Sequence, residues 1–208
     1  HRVLVPHGVR DQDRVADAAA AGQWKSTYGR YALFAATLSK DTNYPLLIQA
    51  AKRFPSLRFL VAGSQFELPP ESERLRDEWL ALDNVTYIGV QHPNALKDLV
   101  GAAAVGLLAY DFEPRRPQPV SGVRTPLKVL TYLAQHCPLV TTNNSYIPQV
   151  EGFGCFKADD PAEFIRVLQD VLDGRLKVDA RTVDTYLDSV GYDTLITRIL
   201  EALDEVRS

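Results

Sequence analysis

The sequence predicts an α/β domain built on a doubly wound parallel sheet of about six strands with flanking helices. Three observations predict it. Short runs rich in β-branched and aromatic residues alternate with longer helical patterns, which is the order of repeated βαβ units. The strand runs are apolar at nearly every position, as required when helices cover both faces of a sheet. The chain has 208 residues, 46% hydrophobic and 24% charged, enough for one substantial core.

The elements follow in order. Tyr31 to Ala36 (YALFAA) reads as the first strand. Pro45 to Phe54 has helical spacing, with Leu46, Leu47, Ala50, Ala51 and Phe54 on one face, Pro45 in the first turn and Asn43 as cap. Leu57 to Ala62 is a second strand, ended by Gly63-Ser64. Glu71 to Leu82 is a mostly polar helix after Pro69-Pro70, a surface excursion. Asn84 to Val90 is a third strand, Pro93 to Gly101 a short helix and Ala104 to Tyr110 a fourth strand. Residues 111–124 hold three prolines and several charges with no period, and loops of that length are usually functional or disordered. Thr125 then caps a helix with Pro126 at its first position, running to about Gln135. Leu139 to Thr142 and Cys155 to Lys157 are strands five and six. Asp160 to Leu172 is an amphipathic helix closed by Gly174, and Asp193 to Val206 is a last one. Before the first strand, Val3-Leu4-Val5 is a short strand or linker, and Val15 to Ala21 is Ala-rich and helical. No second core is visible, so residues 1–30 read as a lead-in to one domain at 31–208.

Composition excludes several functions. A net charge of -3 lacks the basic excess of a nucleic-acid binder. Cys137 and Cys155 fit no zinc spacing and read as buried reduced thiols, which places the chain in a reducing compartment. There is no apolar run of about 18 residues for a membrane span and no signal peptide. The chain contains no Met and reads as a processed or partial one. It has no phosphate-binding G-x-x-x-x-G-K-[ST], no G-x-G-x-x-G, no H-E-x-x-H and no G-x-S-x-G. His1, His7, His92 and His136 form no ligand cluster.

In an open parallel sheet, ligands collect at the carboxyl ends of the strands. The loops there begin at Thr37, Gly63-Ser64, Gly89-Val90, Tyr110 and Asn143, and are mostly small and polar. The strongest constellation is the long loop that feeds the helix after Thr125. A helix start attracts phosphate. Lys128 lies in the first turn, where the dipole disfavours a cation, so its presence asks for an anion. Arg115, Arg116 and Arg124 add positive charge to that edge. Asp111 and Glu113 are candidates for a ribose, sugar or metal contact, or are simply hydrated loop carboxylates.

These residues resemble a known family. Val5-Pro6-His7-Gly8-Val9, Ala35-Ala36-Thr37-Leu38, Leu60-Val61-Ala62-Gly63-Ser64, Asn84-Val85-Thr86-Tyr87-Ile88-Gly89 and, most specifically, Pro126-Leu127-Lys128-Val129-Leu130-Thr131-Tyr132-Leu133-Ala134 resemble the C-terminal, Rossmann-like half of GT-B glycosyltransferases. The chain is similar to xanthan-type glucuronosyltransferases and group 1 glycosyltransferases. The resemblance implies a nucleotide-sugar donor site, UDP-linked, with Lys128 and Arg124 as catalytic groups on the diphosphate and Thr37, Gly63, Ser64, Gly89, Val90, Tyr110, Leu127 and Thr131 lining the site. It implies no metal and no further cofactor. Retaining members carry two glutamates with seven residues between them; here those positions are Val123 and Thr131, which points to an inverting enzyme. His136 stands where a glycine commonly ends the helix.

The resemblance also implies an N-terminal acceptor domain absent from these residues, so that this chain binds donor but does not transfer alone. It implies polysaccharide or glycolipid synthesis in the cytoplasm, at the inner face of the membrane, with peripheral contact through that other domain and no nucleic-acid partner. A nucleotide-sugar epimerase of the same fold and a non-catalytic phospholigand-binding module are the alternatives.

Overall fold

The computed structural model describes residues 8–112, 127–142 and 147–207. It shows one six-stranded, wholly parallel sheet. The strands are β1 (Tyr31–Ala35), β2 (Arg58–Ala62), β3 (Val85–Gly89), β4 (Val105–Leu108), β5 (Leu139–Thr142) and β6 (Cys155–Ala158). Their order is β3-β2-β1-β4-β5-β6. The chain winds outward from β1 to one edge, returns to the centre and winds to the other, so the order reverses between β1 and β4. The doubly wound sheet expected from the strand and helix alternation is what forms.

The helices are α1 (Ala18–Tyr28), α2 (Tyr44–Arg53), α3 (Pro70–Leu80), α4 (Pro93–Ala102), α5 (Leu127–Leu133), α6 (Pro161–Leu172), α7 (Ala180–Ser189) and α8 (Tyr192–Arg207). Local signals set several of them. Asn43 accepts from the Leu46 amide at the start of α2, and Asp160 accepts from the Glu163 amide at the start of α6. Each cap satisfies an amide that the helix leaves unpaired. α2 buries Leu46, Leu47, Ala50 and Ala51, the face that its spacing marks, and α6 buries Phe164, Val167, Leu168 and Val171. Each fully buried Leu or Phe contributes about 1.5–3 kcal/mol.

Three elements depart from expectation. The helix foreseen over Val15 to Ala21 lies at Ala18–Tyr28, because Asp17 folds its carboxylate onto the amides of Ala19 and Ala20 and starts the helix there. No residue of α1 is buried. Ala21, Trp24 and Tyr28 pack half-buried against the core, and polar contacts hold the segment before the helix: the buried Asp98 of α4 accepts from the Asp17 amide at 2.7 Å, and Gln135 and Lys97 donate to the carbonyls of Asp13 and Gln12. α7 was not foreseen; it turns only Val183 and Leu187 into the core. α3 is polar, as read, yet it sinks Trp79 to complete burial, edge-on to Phe34 at 5.5 Å. That one residue makes α3 a core element.

The helix after the long loop is described from Leu127, so Thr125 and Pro126 lie outside the described residues. It ends at Leu133, two residues before the expected Gln135. His136 closes the turn with φ 49°, the left-handed conformation expected where a glycine is usual. Its Nε2 lies 2.7 Å from an Asp184 carboxylate oxygen on α7.

Candidate functional site

In a doubly wound sheet a crevice forms where the strand order reverses, here between the carboxyl ends of β1 and β4. Backbone bonds build one wall. The Ala36 amide donates to Ala62, the Leu38 amide to Ser64 and the Gly63 amide to Gly89, all at 2.9–3.0 Å. The Tyr87 phenol donates to the Gly63 carbonyl at 2.8 Å. The loops after β1, β2 and β3 thus form one fastened unit. Gly63 carries φ 149°, and a Cβ there would stand 2.0 Å from the Ala36 oxygen. Close approach of the protein's own backbone explains that glycine without any ligand. Gly89 has φ 72° and open space around its Cα, so the turn conformation is what calls for a glycine there. Thr37 and Ser64 meet on this wall, with their hydroxyls 3.4 Å apart.

The opposite wall begins at Tyr110. Its amide donates to the Thr142 hydroxyl at 3.1 Å, while the Asn43 amide donates to the Ala109 carbonyl at 2.9 Å. The loop after β4 is therefore held between the end of β5 and the loop after β1. Lys128 reaches this wall from the first described turn of α5. Its ammonium donates to the Tyr110 phenol oxygen at 3.0 Å and lies 5.7 Å from the centre of that ring. These two distances place the ammonium nearly in line with the phenol C–O bond, at the edge of the ring, so the contact is a hydrogen bond to the hydroxyl. Both side chains are half-buried. The two residues that separate sequence arguments assigned to this edge are therefore brought together.

The other expected residues fall as follows. Thr131 lies one turn beyond Leu127 on α5 and donates to its carbonyl at 3.3 Å. Leu127 is 57% exposed and Val90 is 72% exposed; with Phe66 at 62%, large apolar groups stand open to solvent at this edge. Asp111 follows Tyr110 and is half-exposed. Arg124, Arg115, Arg116, Glu113, Val123 and Asn143 lie outside the described residues.

The sequence reading includes Tyr132 in the segment around Lys128 but gives it no role of its own. This α5 residue is fully buried and crosses over β4 to reach β1. Its phenol accepts from the Ala35 amide at 2.8 Å and donates to the Leu33 carbonyl at 3.1 Å. It passes over Gly106, where a Cβ would come within 2.3 Å of the ring. A signal was available: Gly106 is the interior glycine of an otherwise apolar strand, a mark of close approach. Burial pushes the Tyr132 phenol well above its ordinary pKa, so it keeps its proton and remains a donor.

A second depression, of about 310 Å³, lies at the other end of the sheet, lined by Lys25, Gly29, Arg30 and Ala102 to Ala104. Here α1, α4 and α6 end, and the Arg30 guanidinium donates to the Leu172 carbonyl. Cations at helix carboxyl ends satisfy free carbonyls, which accounts for these side chains. Cys137 and Cys155 are buried free thiols, as read, and burial pushes each up to about 12. No helix among the described residues is long and apolar enough to cross a membrane.

Among solved structures, Anabaena HepE in complex with UDP superposes with a TM-score of 0.74 at 12% identity, over 95% of this chain and 56% of that one. A sucrose-phosphate synthase from Thermosynechococcus elongatus gives a TM-score of 0.72 at 15% identity, over 98% and 52%. A UDP-forming α,α-trehalose-phosphate synthase from Burkholderia vietnamiensis gives 0.66 at 14%, over 96% and 52%. The chain thus spans about half the length of these proteins, and at such identities the likeness concerns the fold. No curated protein sequence matches it. The family profile described as glycosyl transferases group 1 matches residues 29–174, from the end of α1 to the glycine after α6, and on that match the chain belongs to the group 1 glycosyltransferase family.

Proposed function

We propose that this chain is the donor-binding part of a glycosyltransferase, which takes a nucleoside-diphosphate sugar, UDP-linked, into the crevice between β1 and β4 for transfer to a saccharide or lipid-linked acceptor. One observation carries the reading. Lys128 stands at the rim of the switch-point crevice, its ammonium hydrogen-bonded to the Tyr110 phenol, with no carboxylate partner among the described residues. A cation placed there favours a diphosphate. As a sugar–phosphate bond breaks, charge builds on the leaving diphosphate, and a fixed ammonium stabilises it. Arg124 adds to that charge in this reading. Tyr110, Leu127 and Val90 offer apolar surface to the nucleoside, Thr37, Ser64 and Thr131 offer polar contacts to ribose and sugar, and Gly63 and Gly89 shape the turns that line the site. HepE, solved with UDP and with UDP-glucose, supports uridine as the base.

The base that activates the acceptor hydroxyl belongs, in this reading, to an acceptor domain outside these residues. Residues 31–208 are the donor unit and 1–30 lead into it. The absence of the glutamate pair at Val123 and Thr131 supports inversion. Lys128 and Arg124 take the role that a metal holds elsewhere. The buried thiols support a reducing cytoplasmic setting, with any membrane-face contact made by the acceptor domain.

Calorimetric titration of the chain with UDP, GDP, ADP and uridine tests the proposal. UDP should bind, and Lys128→Ala should weaken it about ten- to hundredfold, the loss of one charge-assisted hydrogen bond. No binding of any nucleotide, or equal binding by the variant, would sink the reading.

A further inference from the structure

We infer that Tyr132 is the positioning residue of the donor site: its phenol bolts the helix that carries Lys128 to the end of β1, where the crevice opens. The inference rests on the donor-site reading above. The register of β1 with β4 stops at the pair Leu33 and Gly106. The next amide on that side of β1 belongs to Ala35, and it donates to the Tyr132 phenol. The phenol thus stands where a β4 acceptor would continue the ladder, and the strands part at that point. It also returns a hydrogen bond to the Leu33 carbonyl, so one hydroxyl serves two buried backbone groups.

The rest of the geometry fits this role. Gly106 clears the path, since any side chain there would strike the Tyr132 ring. Tyr132 and Lys128 are four residues apart on α5, one above the other on the same face. Fixing the phenol therefore fixes the rotation and height of α5, and so the place of the Lys128 ammonium. A Phe at this position would fill the same volume without burying a hydroxyl. It would leave the Ala35 amide unpaired and the helix free to shift. Lys128 would then meet the diphosphate from a less favourable position, while the nucleoside surfaces stayed in place.

Titration of the full chain and its Tyr132→Phe variant with UDP and uridine reads this out. UDP affinity should fall about tenfold with uridine affinity unchanged. In a Lys128→Ala background Tyr132→Phe should add no further loss, because the phenol acts through the ammonium. Equal losses for UDP and uridine, or additive losses in the double variant, would overturn the inference and leave the donor reading standing. A wild-type chain that binds no UDP would overturn the donor reading itself. Should Tyr132→Phe not fold, amide exchange in the wild-type chain decides: UDP should slow exchange at Ala35 severalfold, and an unchanged rate counts against the bolt.

Discussion

Gly106→Ala should cost far more than its single methyl group implies. The added Cβ would lie 2.3, 2.4 and 3.0 Å from three ring atoms of Tyr132. Ordinary carbon contacts are about 3.5–4.0 Å, so the ring must withdraw by roughly 1 Å. Overpacking of this kind costs about 1–3 kcal/mol. Withdrawal also breaks the bond from the Ala35 amide, and an unpaired buried amide costs about 1–3 kcal/mol more. The gain from restricting the unfolded chain offsets about 0.4–1 kcal/mol. The balance is a loss of about 3 kcal/mol. Urea unfolding followed by tryptophan fluorescence would measure it, because the chain has two Trp residues and Trp79 is fully buried. With a slope of about 2 kcal/mol per molar urea, the midpoint should fall by about 1.5 M. The same substitution beside Tyr132→Leu should cost under about 1 kcal/mol, since the ring is gone. A midpoint within error of wild type, or the same cost in both backgrounds, would refute the reasoning.

Two further predictions concern stability. The Asn84 side-chain amide donates to the carbonyls of Ala51, Phe54 and Leu57 at 3.0–3.1 Å, closing the turn between α2 and β2. Asn84→Ala should lose about 2–3 kcal/mol by the same urea assay, and Asn84→Asp, which supplies no donor in its ionised form, should be no better. Cys137 and Cys155 are raised by burial to about 12. Their folded values lie above the unfolded one, so their contribution is fully present below pH 9 and is lost as pH rises toward 12, on the order of 1 kcal/mol per pH unit for each thiol. Midpoints measured from pH 8 to 11 should decline, the decline should shrink in a double Cys→Ala variant, and iodoacetamide should label neither thiol in the folded chain at pH 8.

The features legible in the sequence are those written within a few neighbouring residues. Apolar runs mark the strands, Asn43 and Asp160 mark helix starts, and Gly174 marks an end because each acts on backbone next to it. Lys128 and Tyr110 were assigned to one edge by position in a βαβ chain, and their 3.0 Å contact needs only that topology. What stayed hidden depends on distance. The Tyr132 phenol serves residues about a hundred positions earlier in the chain, and nothing local to α5 says so. Trp79 reads as one apolar residue on a polar helix until Phe34 is seen beneath it. α7 presents two core residues, too few for a period to show. The family resemblance counts Gly63 among the residues that line the site, while its neighbour in the fold is the Ala36 carbonyl.

The two walls of the crevice are held by different means, and the difference bears on how such a site can change over generations. The wall over β1, β2 and β3 is tied mainly by main-chain bonds among Ala36, Leu38, Ala62, Gly63, Ser64 and Gly89. Main-chain bonds survive most substitutions, so the side chains of Thr37, Ser64 and Val90 can drift without loosening the wall. The β4 side leans more on side chains, with Thr142 holding Tyr110 and Tyr132 holding α5, beside the main-chain bond from Asn43 to Ala109. There, one substitution disturbs a neighbour and calls for a second. New ligand preference is therefore cheapest to acquire along the first wall, while the second preserves the arrangement that both share.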